Sequence, residues 1–216
     1  MNFFEIIKQL AEVDSDVMGR LDSRRAVFSS LGTAAKRGAM AATPALLGAF
    51  FQKAYAGTTG TKANAIADIF NYALTLELLE ADFYKKMVES TVFSAQTPEA
   101  QAAIRLIKAH EDAHVALLQG VVTALGVAPT TGITFQAGKF PATWALQLQT
   151  AQLLEDTGVR AYKGRAGDLL AAGGANDATV GGKTVNPLQA ALQIHSMEAR
   201  HAAHIRYMRA QTPWIT

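Results

Sequence analysis

The sequence predicts an all-α protein: a bundle of four helices with one long crossover between helices two and three, preceded by a helical N-terminal leader. Four segments repeat apolar side chains at helical spacing. Half of the 216 residues are hydrophobic, which is enough to bury one sizeable core. A long connection separates the second and third segments, whereas a short turn joins the first and second.

The N-terminal leader spans residues 1–56 and is more basic than the rest of the chain. Residues 20–56 carry six basic side chains against one acidic side chain. Within them, residues 23–28 (SRRAVF) resemble the twin-arginine export motif, and a mild apolar run then ends in an A-x-A-like sequence. This resemblance implies a periplasmic or otherwise exported protein. In the alternative reading, Arg24 and Arg25 lie on a solvated helix face, the apolar run packs on the bundle, and the protein is cytoplasmic.

A flexible polar join at residues 57–61 (GTTGT) begins the second part of the chain, and the predicted bundle occupies residues 57–216. Helix one is predicted at residues 62–90. Helix two begins at Thr97-Pro98-Glu99, which supplies an N-cap threonine, a proline at the first helical position and an acid in the first turn. It is predicted to stop at Gly126, because glycine often follows the end of a helix.

The connection at residues 127–141 is long enough to run the whole length of the bundle. Fifteen extended residues reach about 50 Å, and a helix of about 27 residues is ~40 Å long. Helix three, predicted at residues 142–170, can therefore lie parallel to helix two. Residues 173–186 are glycine-rich and form a loop or small hairpin without the spacing of a phosphate loop. Asn186-Pro187 then begins helix four, which is predicted to end near Gln211.

A repeated pattern of carboxylates and imidazoles falls on these four helices. Helix two contains Glu111-Asp112-Ala113-His114, and helix four contains Glu198-Ala199-Arg200-His201. A helix places positions i and i+3 on one face, so each Glu-x-x-His pair can bind one ion with both side chains. A lone glutamate precedes each pair, and a tyrosine follows each lone glutamate seven residues later: Glu77 with Tyr84, and Glu155 with Tyr162.

Helix one offers two candidate carboxylates. Glu77 falls inside the apolar stripe, where an unpaired carboxylate would cost several kcal/mol or be forced neutral, so a metal ion or a histidine is the natural compensation. Glu80 is the rival, but only Glu77 matches the seven-residue step to tyrosine. On helix three, Gly158 stands one turn after Glu155. It provides room for close packing or for substrate, or is simply a tolerated glycine.

The histidines also leave alternatives. On helix four, His195 and His204 lie on either side of the Glu-x-x-His pair, and the rotation of the helix decides whether one of them replaces His201. His110 lies about 100° around helix two from Glu111, so it is interpreted as a flanking residue and not as a ligand.

The order Glu, Glu-x-x-His, Glu, Glu-x-x-His resembles that of the ferritin-like di-metal carboxylate superfamily, in which such residues point into a four-helix bundle. The resemblance covers roughly residues 63–211, and ALTLELLEADFY in helix one is also similar to exported prokaryotic ferritin-like domain proteins. It implies that Tyr84 and Tyr162 lie just outside the metal ligands, near bridging carboxylates. The ligands it implies are Glu77, Glu111, His114, Glu155, Glu198 and His201.

Composition excludes several classes of function. The absence of cysteine excludes disulfides, cysteine–zinc sites, iron–sulfur clusters and a rubredoxin-type electron-transfer site. Residues 57–216 hold 13 basic and 13 acidic side chains, so the bundle lacks the basic stripe of a nucleic-acid-binding protein. No stretch reaches the ~20 apolar residues of a spanning helix, which predicts no stable membrane span.

The resemblance implies a centre of two iron ions, with manganese or zinc as alternatives, because carboxylate and imidazole ligands suit all three metals. The expected partners are metal ions with O2 or peroxide, and the expected chemistry is ferroxidase, oxidase or peroxide-consuming. Two alternatives stay open: a dimanganese catalase-like enzyme, and a non-enzymatic ferritin-like protein with a structural, binding or stress-protective role. A homo-oligomer is compatible with either, and the sequence assigns no catalytic residue.

Overall fold

The structure is a computed structural model that describes residues 62–214 apart from residues 136, 175 and 176. For residues 62–64 and 137 it describes the backbone alone. The leader predicted at residues 1–56 lies outside the described residues, and export therefore stays a prediction.

Four long α-helices make up most of the described chain, which confirms the predicted all-α bundle. A short helix turns the chain between the first two, and an antiparallel hairpin precedes the last. The elements are α1 (Lys62–Glu89), α2 (Thr91–Ser94), α3 (Pro98–Ala124), a 3₁₀ turn (Ala137–Lys139), α4 (Trp144–Ala171), β1 (Ala178–Val180), β2 (Lys183–Val185) and α5 (Pro187–Met208). Among the described residues, no helix combines the length and apolar character needed to cross a membrane.

Side-chain caps fix where three of these helices begin. Thr97, Thr143 and Asn186 each accept a hydrogen bond from the backbone N–H three residues later. The cap at Thr143 starts the third long helix two residues later than the periodicity predicts. The last long helix ends at Met208, three residues earlier than predicted, and Ala210 just beyond it has φ 54°, which a continuing helix does not allow.

Cross-helix contacts define the directions of the helices. Tyr84 contacts Glu155, and Tyr162 contacts Glu77, so residue numbers run in opposite directions along α1 and α4. The short connection through α2 makes α1 and α3 antiparallel as well. Consequently α3 and α4 are parallel, and the connection between them is the predicted long crossover.

The crossover is held along α1 at two points. Near its start, the Thr130 N–H donates to Asn71 Oδ1 at 2.7 Å. Further on, the Phe135 N–H donates to Asp82 Oδ2 at 2.6 Å. Asn71 and Asp82 are eleven residues apart, or ~16 Å of helix. The loop therefore follows α1 from one end of the bundle towards the other.

The core consists of two apolar clusters separated by a polar layer. One cluster contains Phe70, Leu118 and Ile194, and the other contains Phe83 and Ile205. On each long helix, buried glutamates or histidines lie between the residues that belong to the two clusters. This layer holds the candidate functional site.

Candidate metal centre

The polar layer brings together all six of the side chains that the resemblance implies as ligands. The four glutamates are 0% exposed, and the two histidines are 8% and 4% exposed. Their potential ligand atoms form two groups, within each of which all atoms lie within 4.8 Å of one another. The His114 group is Glu77, Glu111, His114 and Glu198, and the His201 group is Glu111, Glu155, Glu198 and His201.

In the His114 group, one imidazole nitrogen faces three carboxylates. His114 Nδ1 lies 3.2 Å from Glu77 Oε2 and 3.1 Å from Glu111 Oε2. The same nitrogen lies 3.3 Å from Glu198 Oε1. The i, i+3 spacing on α3 provides one of these contacts, and α1 and α5 provide the other two.

The His201 group repeats this arrangement. His201 Nδ1 lies 2.8 Å from Glu111 Oε1, 3.2 Å from Glu155 Oε2 and 3.9 Å from Glu198 Oε1. Glu111 and Glu198 therefore lie between the two imidazoles and belong to both groups, whereas Glu155 belongs to this group alone.

Buried carboxylate oxygens without hydrogen bonds show that this donor set fits metal ions. Both oxygens of Glu198 and Oε1 of Glu111 accept no hydrogen bond from the described residues. Glu111 Oε1 is close to His201 Nδ1, but the ring N–H is not aligned with it. Buried polar atoms are rarely left without a partner. Cations held by these oxygens and the imidazole nitrogens would supply one, and carboxylate with imidazole suits iron, manganese and zinc.

The two tyrosines cross between helices to hold the unshared carboxylates. Tyr84 on α1 donates to Glu155 Oε1 on α4 at 2.5 Å, and Tyr162 on α4 donates to Glu77 Oε1 on α1 at 2.5 Å. The tyrosines were predicted to lie near bridging carboxylates, but each contacts a carboxylate that belongs to only one group. Burial, followed by the charge of the contacted glutamate, raises the pKa of both phenols well above the usual value, so they stay neutral donors.

Protons balance the charge of the layer when no ion is bound. Burial, followed by neighbouring carboxylates, raises the pKa of Glu111 and of Glu155 to about 7. Burial also raises the pKa of Glu198 well above its usual value. For the imidazoles, burial lowers the pKa, but hydrogen bonds to carboxylates outweigh it and raise the pKa to about 12 for His114 and about 10 for His201. Metal ions therefore compete with protons here.

Glu80 is a fifth buried glutamate of the layer and lies outside both ligand groups. It is 2% exposed, and its Oε2 accepts no hydrogen bond from the described residues. Burial, followed by the charge of Glu198, raises the pKa of Glu80 well above its usual value. Of the two candidate carboxylates on α1, Glu77 is the one that lies in a ligand group.

Gly158 makes the space that Glu198 occupies. A Cβ atom at this position would lie 2.4 Å from Glu198 Oε2, 3.2 Å from Cδ and 3.3 Å from Cγ. Close packing, room for substrate and a merely tolerated glycine were all compatible with the sequence at this position. The structure shows close packing, and the atoms that fill the space belong to a shared carboxylate.

The remaining histidines have different environments. His195 Nδ1 lies 3.0 Å from the Val159 carbonyl oxygen, and His204 is exposed, so neither belongs to a ligand group. His110 Nδ1, in contrast, lies 2.9 Å from His201 Nε2, and the ring centroids are 5.2 Å apart with 12° between the planes, so the two rings lie edge to edge in nearly one plane. Burial, followed by the charge of His201, lowers the pKa of His110. His110 was predicted to be a flanking residue, and nothing in the spacing within α3 indicates its contact with α5.

A buried ion pair next to the ligands joins α4 to α5. Arg206 donates two hydrogen bonds to Asp156, at 2.6 and 2.7 Å, and both residues are less than 10% exposed. Asp156 directly follows Glu155 in the chain. The pair fixes α4 against α5 close to the His201 group, and no pattern in the sequence predicted it.

These observations define the class of the protein: a four-helix bundle with a buried carboxylate–histidine cluster that is compatible with a di-metal site. A family model described as a ferritin-like domain matches residues 65–211. The chain belongs to this ferritin-like family, which confirms the relationship inferred from the order of glutamates and histidines. No curated protein matches the chain.

Proposed function

We propose that the protein binds two divalent metal ions, with iron as the preferred metal, and that it carries out oxidase, ferroxidase or peroxide-consuming chemistry with them. One observation carries the proposal: the two ligand groups share Glu111 and Glu198. A carboxylate has two oxygens and can hold one ion with each, so two shared carboxylates favour a coupled pair of ions over two separate sites. Bound iron would supply the redox chemistry with O2 or peroxide.

The charges of the side chains suit two divalent ions. Four ionised glutamates carry four negative charges, and two divalent ions carry four positive charges, so neutral imidazoles complete a neutral centre. Neutrality matters because the glutamates are fully buried, where an unbalanced charge is costly. Tyr84 and Tyr162 hold the two unshared carboxylates in place by donating a hydrogen bond to each.

Metal content of the full-length chain is the direct test. Wild-type protein incubated separately with Fe(II) under anaerobic conditions, Mn(II) and Zn(II) should retain about two ions per chain after gel filtration. The double variant Glu111→Ala, Glu198→Ala should lose both ions, because each ion loses two ligands. The matched control Glu89→Ala, Glu99→Ala removes two exposed helical glutamates and should bind like wild type. Circular dichroism checks that every variant is helical.

Reactivity of the loaded protein separates the chemical alternatives. Iron-loaded wild type that consumes O2 or peroxide faster than the double variant would support the proposal. Manganese-loaded protein that disproportionates peroxide, with no reaction of the iron form, would favour the dimanganese catalase-like alternative. Two bound ions without turnover would favour a non-enzymatic role. Wild-type protein that retains none of the three metals would refute the di-metal centre.

A further inference from the structure

His201 presents its two ring nitrogens to two different environments. On the inner side, Nδ1 lies 2.8 Å from Glu111 Oε1 and 3.2 Å from Glu155 Oε2. On the outer side, Nε2 lies 2.9 Å from His110 Nδ1. His110 is only partly buried, so it stands between the buried ring and the surface of the bundle.

Imidazole chemistry determines the direction of the hydrogen bond between the two rings. If His201 Nδ1 binds an ion through its lone pair, the ring hydrogen must be on Nε2. If no ion is bound and the ring is charged, both nitrogens carry hydrogen. His201 Nε2 is a donor in both states, so His110 Nδ1 must be the acceptor, and the hydrogen of a neutral His110 then lies on its Nε2.

This contact also determines how the His201 ring is rotated. The terminal torsion of histidine has broad minima, so packing and hydrogen bonds must select its value. A half-turn of the ring would move Nδ1 away from the carboxylates and Nε2 away from His110. The 2.9 Å hydrogen bond favours the orientation in which Nδ1 faces the ligand group, and the near-coplanar rings, 12° apart, direct the donor along the in-plane lone pair of the acceptor.

The repeated sequence pattern gives His201 a histidine partner, His110, but it has no histidine at the corresponding position for His114. His110 directly precedes Glu111 in the first Glu-x-x-His pair, and Met197 directly precedes Glu198 in the second. A thioether is a weak acceptor compared with an imidazole nitrogen. The two halves of the centre therefore differ at corresponding positions, although their ligands are the same.

We infer that His110 positions His201 for ion binding by accepting the hydrogen bond from Nε2, and that it supports the ion of the His201 group more than the ion of the His114 group. The inference rests on the proposed two-ion centre. Partners that orient a metal-binding histidine typically contribute 10- to 100-fold to metal affinity. Removal of His110 should therefore weaken one of the two binding steps by about that factor.

Zn(II) binding by calorimetry on the full-length chain tests the inference. His110→Ala should weaken one step by about 10- to 100-fold and leave the other within about threefold. His110→Asn should restore most of the affinity, because Asn Oδ1 can take the position of the accepting Nδ1. His204→Ala, which removes an exposed histidine outside the ligand groups, should bind like wild type.

An NMR measurement gives a second readout that a purely structural role would not change. In Zn(II)-loaded wild type, a long-range ¹H–¹⁵N spectrum should show His201 as the Nε2–H tautomer with a slowly exchanging proton. That proton should exchange faster in His110→Ala and be protected again in His110→Asn. This readout also applies to wild type alone, so it tests the hydrogen bond even if the alanine variant fails to fold.

The possible failures are distinguishable. If wild type binds none of Zn(II), Fe(II) and Mn(II), the proposed di-metal centre fails; if it binds Fe(II) or Mn(II) but not Zn(II), the calorimetry is carried out with that ion. If wild type binds two ions and His110→Ala binds both with unchanged constants, the centre stands and the role of His110 is overturned. Equal weakening of both steps, or no recovery in His110→Asn, would also overturn it.

Discussion

Gly158→Ala provides the sharpest test of how the centre is packed. The added methyl group would lie 2.4 Å from Glu198 Oε2, far inside contact distance, and its 3.2 and 3.3 Å approaches to Cδ and Cγ are also tight. Rotation of the carboxylate alone therefore does not relieve the overlap. The whole side chain must shift, and Glu198 belongs to both ligand groups.

Two opposing effects determine the stability of this variant. Replacing a mid-helix glycine by alanine stabilises a helix by about 1 kcal/mol. Overpacking a filled core costs about 1–3 kcal/mol. We therefore expect a free energy of unfolding between unchanged and about 2 kcal/mol lower for the metal-free protein. We expect a larger effect on metal binding, with at least a 10-fold loss of affinity in both binding steps, because both ions share the displaced carboxylate.

The assay compares Gly158→Ala with Gly164→Ala on the same helix. A Cβ atom at Gly164 meets no atom within 4 Å, so this control receives the helix stabilisation without the overlap. Urea unfolding gives the stability of the metal-free proteins, and Zn(II) calorimetry gives their affinities. If Gly158→Ala were as stable as Gly164→Ala and bound two ions like wild type, the packing argument would be refuted.

Three further predictions concern the layer and its surroundings. In metal-free protein, the pKa of Glu111 and Glu155 is raised from 4.5 to about 7. The folded state therefore binds more protons in that window, and urea titrations should show stability falling from pH 4.5 to 7; a rise would contradict these shifts. Arg206→Met leaves Asp156 buried without its partner and should lower the free energy of unfolding in urea by about 3–5 kcal/mol. The variant should still bind two ions, and an unchanged unfolding free energy would refute the role of this pair. Glu80→Gln changes a carboxylate outside both ligand groups and should retain two ions by metal analysis, whereas loss of an ion would identify Glu80 as a ligand.

The parts of the structure that the sequence predicted are those that depend on local spacing. Apolar periodicity predicted the four long helices, and loop length predicted the crossover, because both are properties of contiguous residues. The three-residue spacing of Glu111 and His114 is local in the same way, since it puts both side chains on one face of α3. Their convergence with α5 followed from the repetition of the same pair there.

The parts that the sequence did not predict depend on the rotation and height of one helix against another. Tyr84 follows Glu77 by seven residues, or ~10 Å of helix, and its actual partner is Glu155 on the antiparallel helix. The hydrogen bond between His110 and His201 joins residues 91 positions apart. A pattern within one segment carries no information about such contacts, so the tyrosines were identified but their partners were not.

The charge balance of the layer explains how one set of buried residues can serve both with and without ions. With two divalent ions, the four glutamates of the ligand groups balance four positive charges. Without ions, charged His114 and His201 balance two glutamates, and the raised pKa of Glu111, Glu155 and Glu198 allows protons to neutralise the others. Each ion that enters must displace protons, so affinity should rise with pH over the range in which metal-free stability falls. The opposite pH dependence of folding and of metal binding is therefore a single consequence of burying these carboxylates together.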